Sequence, residues 1–406
     1  MHICFVAIDY HESHSGGGIA SYVDTLGRAL ATRGHSVTVL AKGSHNETTE
    51  DQGLRIMRVQ LGSLHWYLYK LHAPSVAVLP VRELEWSVAL RRGLDSLLAE
   101  HHIDVVEGCE TGILFLSGNK QNELPALVVR LHGEPYVFRK YSGQRIRLGE
   151  RVNRWLEFAA LRRAAAVTSP SYFQAQEVAK DLGWPTERIH VIPNPISPWL
   201  LDQALNGESA VGDQQPVLSA ADGSPVVLYT GRIEYRKGTL PLLRSVSYVA
   251  KAFPDVQYVI AGGRHNSIDN RTLSHTLNEG DTGAHVRLLG HIPWQQLPKW
   301  YRQATVFVIP SYYETFCISA VEAMAFGLPV VATRAGGLPE VVEDGVTGIL
   351  VPPGDPQALA EAIICLLRDS DLRRRMGHAG RERVLAEFTV QRVIEQTLNV
   401  YEEVRA

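Results

Sequence analysis

The chain of 406 residues predicts two doubly wound α/β domains in tandem. Three observations lead there. The length exceeds what one ordinary hydrophobic core serves and suits two domains of typical size. The strand-like segments are short continuous apolar runs, the mark of strands buried on both faces of a parallel sheet. A small, polar stretch, DQALNGESAVGDQQPVLSAADG at 202–223, separates two such series and reads as a linker.

In the first series, HICFVAI (2–8) is followed by a glycine-rich loop and a helical pattern from about 19 to 32. Strands then follow at 36–42, 103–108, 126–133, 165–170 and 189–194, with helical periodicity at 83–100, 148–164 and 171–182. The second series places strands at 225–231, 256–263, 285–290, 306–311, 329–333 and 348–353. Helices fill the gaps at 238–252, 294–303, 317–326 and 356–368, and two more close the chain at 370–386 and 389–405. In such sheets ligands bind outside the strand C-termini, which predicts a ligand crevice there, between the domains if they face each other.

The composition is 45% hydrophobic and 20% charged, with formal net charge −3, so nothing draws the whole chain to nucleic acid or to an anionic membrane. Cys4, Cys109, Cys317 and Cys365 form no CxxC pair. Cys4, Cys317 and Cys365 sit in apolar patterns and read as small buried hydrophobes in a reducing cytoplasm. MHICFVAIDY lacks a basic start and a cleavage site, so it reads as a strand and not a signal peptide. No apolar stretch approaches the length of a spanning helix.

Four segments carry candidate chemistry. Gly16, Gly17 and Gly18 precede a helix, where backbone can approach a ligand and free amides can meet an anion; a plain flexible turn is the alternative. The spacing is not that of the dinucleotide fingerprint GxGxxG. LHGEP ends a strand and sets His132 at the ligand edge, with a structural histidine as the rival reading. TGRIEYRKG puts Arg232 and Lys237 in a glycine-bounded loop suited to a diphosphate, with Glu234 able to neutralise one of them. Glu314 and Glu322 lie on either side of a helix start at about Cys317, where the amides of Phe316, Cys317 and Ile318 would face an anion or sugar hydroxyls. On spacing alone the two glutamates are open between ligand grips and ordinary helix decoration.

Glu314 and Glu322 at E-x7-E spacing, GLPVVAT at 327–333, the Gly336-Gly337 turn with Glu340, and GR…K together resemble the retaining GT-B glycosyltransferases of family four, over nearly the whole chain. The resemblance implies two Rossmann-like domains facing a central cleft. An acceptor domain would span 1–200, completed by a returning helix at about 389–406, and a nucleotide-sugar domain 201–388. It implies that Arg232 and Lys237 bind the donor diphosphate, that Glu314 contacts the donor sugar and that Glu322 holds the ribose. It further implies that His132 lies against the sugar, that Gly17 and Gly18 close on the phosphates, and that Ile292 and Arg264 fall at the base contact. No metal and no cofactor is implied, since two cations take the metal's place. The expected reaction moves a hexose, with retention, from a sugar nucleotide, taken as UDP-linked, to a glycan, lipid-linked or small-molecule acceptor. A nucleotide-sugar epimerase and a non-catalytic nucleotide-sugar binder are the rival readings; the former would act without an acceptor.

On the acceptor side, HWYLYKLHAP groups Trp66, Tyr67 and Tyr69, which suit sugar stacking, lipid contact or core packing. Residues 139–163 carry eight Arg or Lys against two Glu, with Trp155, Leu156 and Phe158 between them. That stretch reads either as a solvated helix face or as a peripheral contact with the inner face of an anionic membrane.

Overall fold

The computed structural model describes residues 1–8, 10, 17–60, 62–71, 75–116, 124–133, 148–207, 224–263 and 270–405. The chain forms two compact units, Met1–Pro195 with Val390–Ala406, and Ile196–Thr389. The two crossings lie side by side, with the Ile196 amide donating to the Phe388 carbonyl at 2.9 Å.

Unit 1 holds an eight-stranded sheet in the order β3-β4-β2-β1-β5-β6-β7-β8. Its strands are β1 His2–Ala7, β2 Ser36–Gly43, β3 Glu47–Asp51, β4 Leu54–Gln60, β5 Val105–Cys109, β6 Ala126–Arg130, β7 Ala166–Ser169 and β8 Ile189–Val191. All neighbours run parallel except β3, which turns back on β4 as a hairpin. The sequence reading missed this hairpin. Its strands are rich in charge and half-exposed, so no continuous apolar run marks them. The two-residue turn at Gln52 and Gly53, both at positive φ, is the signal that could have found it.

Helices α1 Gly17–Thr32, α2 Leu64–Lys70, α3 Ser75–Glu100, α4 Leu148–Leu161 and α5 Tyr172–Leu182 complete this part of the chain. The last helix of the chain, Val390–Arg405, seals the same sheet. Val393, Ile394 and Tyr401 are buried among Phe5, Leu26, Leu30 and Val105. The Tyr401 hydroxyl donates to buried Glu107 on β5 at 2.8 Å.

Unit 2 holds six parallel strands in the order β11-β10-β9-β12-β13-β14. They are β9 Val226–Thr230, β10 Gln257–Ala261, β11 Val286–Gly290, β12 Val306–Ile309, β13 Val330–Thr333 and β14 Gly348–Val351. Counted from β9 this is the 3-2-1-4-5-6 order of a Rossmann sheet, and its direction reverses between β9 and β12. Apolar layers cover both faces of β9, β10, β12 and β13, which is why these strands read as unbroken hydrophobic runs. A helix at Pro198–Leu205 takes up the start of the expected linker; residues 208–223 lie outside the described residues. Cys4 and Cys317 are buried as expected, whereas Cys365 is exposed, on the outer face of the helix Pro356–Arg368.

Candidate active site

The loops after β9 and β12 flank the switch point of the second sheet. After β9, a 3-10 turn at Tyr235–Lys237 ends in Gly238, at φ 68. A Cβ there would lie 1.7 Å from the Pro310 carbonyl oxygen, so only glycine lets the cation loop pass this close to the end of β12. Lys237 Nζ consequently reaches Glu314 Oε1 at 2.7 Å, and Ser311 Oγ donates to the same oxygen at 2.7 Å. Arg236 Nη1 stands 3.5 Å from Glu314 Oε2.

Burial alone would raise the Glu314 carboxyl. The charges of Lys237 and Arg236, with the hydrogen bonds from Lys237 and Ser311, outweigh it and hold the group below the usual carboxylate range. The Gly337 amide donates to the Glu314 carbonyl at 2.8 Å. Gly336 lies so close that a Cβ would sit 2.0 Å from that oxygen. The Gly-Gly turn thus seats the backbone of Glu314.

Arg232 is the outlying cation. Its side chain is 59% exposed, and its Nη2 is 3.6 Å from Glu234. Glu234 is buried and takes its shorter contact, 2.7 Å, from Arg236. The neutralising carboxylate expected between the two cations therefore serves mainly Arg236, a residue that sequence reasoning passed over. Ser311 and Tyr301 were likewise not anticipated as partners in the site.

Helix Ile318–Ala325 starts after Cys317, which is held at φ 85, a conformation costly for a side chain of this kind and found where the surroundings enforce it. The first-turn amides have no partner within the helix. The side chain of Phe316 is core, edge-on to Phe388 at 5.6 Å, so only its backbone could serve a ligand. Glu322 occupies the second turn, half-buried, and accepts from the Tyr301 hydroxyl at 2.7 Å. Burial pushes its carboxyl up, and the Tyr301 hydrogen bond offsets this only in part. The two glutamates are therefore driven in opposite directions. Ile292 is half-buried against the core beneath this helix. Arg264 lies outside the described residues.

In unit 1, α1 begins at Gly17. A Cβ on Gly18 would meet nothing within 4 Å, so neither space nor φ requires glycine there. His132 follows β6, edge-on to the ring of Tyr22 on α1 at 5.3 Å. Desolvation, with Arg130 adding to it, pushes its imidazole down to about 3, so it is neutral at ordinary pH. Buried Glu110, after β5, accepts from the His132 amide at 3.0 Å and the Gly133 amide at 2.9 Å and fixes that loop. Glu83 on α3 supports the next turn by accepting from the Gly112 amide at 2.5 Å.

Trp66, Tyr67 and Tyr69 lie on α2, at least half exposed, which removes the core-packing alternative. Of the basic stretch, residues 139–147 lie outside the described residues. Arg154 is buried and paired with Asp181, while Arg151, Trp155, Arg162 and Arg163 are exposed. Among the described residues no group of three His, Cys, Asp or Glu is placed to hold a metal ion, and no helix is long and apolar enough to cross a membrane.

Comparison with known proteins agrees with this architecture. The family model "Glycosyl transferases group 1" matches residues 212–383, and "Glycosyltransferase Family 4" matches 16–199. α-Maltose-1-phosphate synthase of Mycolicibacterium smegmatis is 34% identical over 298 residues, 68% of this chain and 75% of that protein. The chain belongs to the group 1 glycosyltransferases. Among solved structures, sucrose-phosphate synthase from Thermosynechococcus elongatus superposes with a TM-score of 0.76 at 26% identity, over 99% of this chain and 98% of the other. Anabaena HepE in complex with UDP-glucose gives 0.66 at 19% identity, over 99% and 100%. This group 1 glycosyltransferase therefore has the GT-B fold expected from its sequence.

Proposed function

We propose that this glycosyltransferase moves a hexose from a nucleotide-diphosphate sugar, with UDP-glucose as the donor to test first, to a glycan, lipid-linked or small-molecule acceptor, with retention and without a metal. The observation that carries this reading is the cluster of Lys237, Glu314 and Ser311 at the switch point of the second sheet, with Arg232 exposed beside it. The names of the relatives, a maltose-1-phosphate synthase and a UDP-glucose complex among them, support a sugar-nucleotide donor.

Cleavage of the anomeric C–O bond puts negative charge on the departing diphosphate. Arg232, Lys237 and the amides of Phe316, Cys317 and Ile318 would meet that charge, a preorganised stabilisation expressed in the transition state. Ionised Glu314 would accept from sugar hydroxyls, and Glu322 would take the ribose. Neutral His132 would lie against the sugar, and Gly17 and Gly18 would leave room for phosphate oxygens. Ile292 and Arg264 would border the base. The acceptor would attack from the face the diphosphate leaves, with the leaving phosphate as base.

Thermal-shift measurements with UDP, GDP and ADP test the donor reading; the matching nucleotide should raise Tm. Replacing Arg232 or Lys237 by Ala should lower turnover by roughly 10²–10³-fold. An inverted anomeric centre in the product refutes retention, and loss of turnover in chelator refutes metal independence. Conversion of the donor sugar without an acceptor would favour the epimerase.

A further inference from the structure

Glu314 is 5% exposed and has a cation on each oxygen. The two cations are held differently. Lys237 is a single ammonium on a flexible stem. Arg236 is tied to the surrounding loops: Nη2 donates to Glu234 at 2.7 Å, Nη1 donates to the Tyr313 carbonyl at 3.3 Å, and its own carbonyl accepts from the Tyr312 amide at 2.8 Å. The rings of Tyr235 and Tyr312 stack at 5.0 Å, with 7° between their planes, and clamp the same two loops.

If Lys237 serves the diphosphate, its bond to Glu314 must loosen. Glu314 Oε1 would then keep only Ser311, and a buried carboxylate without a cation takes up a proton. A protonated Glu314 could not accept from the sugar on both oxygens. The remaining groups facing it include Tyr229 from β9 and Cys317 at the helix start, neither of which supplies positive charge.

We propose that Arg236 is a positioning residue, the fixed counter-ion that keeps Glu314 ionised and in place while Lys237 turns to the donor diphosphate. This rests on the donor-site reading above. It divides the labour of the cations: Arg232 and Lys237 follow the ligand, and Arg236 stays with the protein.

The test is proton uptake on binding UDP, from calorimetry at pH 6 in buffers of different ionisation enthalpy. Arg236→Gln alone would take from Glu234 its shorter ion contact, and Glu234 could itself take up a proton. The comparison is therefore between Glu234→Gln and the double variant Glu234→Gln/Arg236→Gln. Removal of an opposite charge raises a carboxyl, so the double variant should take up to about one further proton per UDP bound. Restoring the charge as Glu234→Gln/Arg236→Lys should abolish the extra uptake, which a merely structural role would not produce. Should the double variant fail to melt cooperatively, Arg236→Gln is compared with Glu314→Gln/Arg236→Gln, and up to about one further proton taken up by the first should be missing from the second, which leaves Glu234 out of the difference. Equal uptake with and without Arg236 overturns this inference alone. A wild-type protein that binds none of UDP, GDP and ADP overturns the donor-site reading with it.

Discussion

Lys237 and Glu314 form an ion pair that the donor diphosphate should compete with, so removing each partner should move UDP affinity in opposite directions. Lys237→Met removes a cation proposed to bind the diphosphate. A hydrogen bond to a charged group contributes about 1.5–3 kcal/mol, and each 1.4 kcal/mol is tenfold, so UDP should bind about ten- to a hundredfold more weakly. Glu314→Gln keeps the side chain's shape and one acceptor oxygen for Ser311, and it releases Lys237 from the 2.7 Å contact that occupies it. UDP should then bind as tightly as in wild type or more tightly, by up to about the same factor. Donor turnover should nevertheless fall, because the carboxylate proposed to face the sugar is gone. Calorimetric titration with UDP reads both variants, and thermal melts check their folding. Equal weakening of UDP by both substitutions would refute the competition and reduce Glu314 to a scaffold for the loop.

Three further outcomes follow from the geometry. Gly238→Ala imposes a left-handed residue and a Cβ 1.7 Å from the Pro310 oxygen. It should cost at least about 1–2 kcal/mol and several degrees of Tm, and an unchanged melt would refute the close packing of these loops. Burial raises the Glu83 carboxyl to about 7, above its unfolded value. The associated stability is present below about 4.5 and is lost as pH rises through about 7, so Tm should fall across that window and Glu83→Gln should flatten the fall. Tyr401→Phe takes the 2.8 Å hydroxyl donor from buried Glu107 and should destabilise by about 1–3 kcal/mol in chemical denaturation, with the loss in unit 1.

The parts of this fold that were legible are those where burial leaves a pattern in the residue order. β9, β10, β12 and β13 are covered on both faces, and their Val-, Ile- and Leu-rich runs state that directly. The hairpin of β3 and β4 carries Glu47, Glu50, Arg55 and Arg58 at half-exposed or exposed positions, so its residues read as loop. The cation loop was legible as charge in a glycine frame, yet its spacing did not say which cation meets which carboxylate. Arg236 adjoins Lys237 in sequence and was passed over, and Glu234 was read as a neutraliser of Arg232 or Lys237; that its shorter contact is with Arg236 shows only in the folded loop. Glu110 and Glu83 gave no signal, because nothing in a linear sequence says which carboxylates will be enclosed beside the turns after β5 and β6. Of the site, residue types and edges were readable; the pairing of charges was not.

The last helix has a consequence for how the protein is made. The core of unit 1 draws its first strand from the start of the chain and Tyr401 from near the end, with all of unit 2 between them. During synthesis Ile196–Thr389 can fold as one contiguous stretch as soon as it is out. The segment before it must wait with Phe5, Leu26 and Leu30 incompletely covered until the final turns emerge. A stop codon or a fused tag placed only a few residues before residue 405 would thus fall on the oldest part of the chain, and a cell extract would show it as failed maturation of the amino-terminal half.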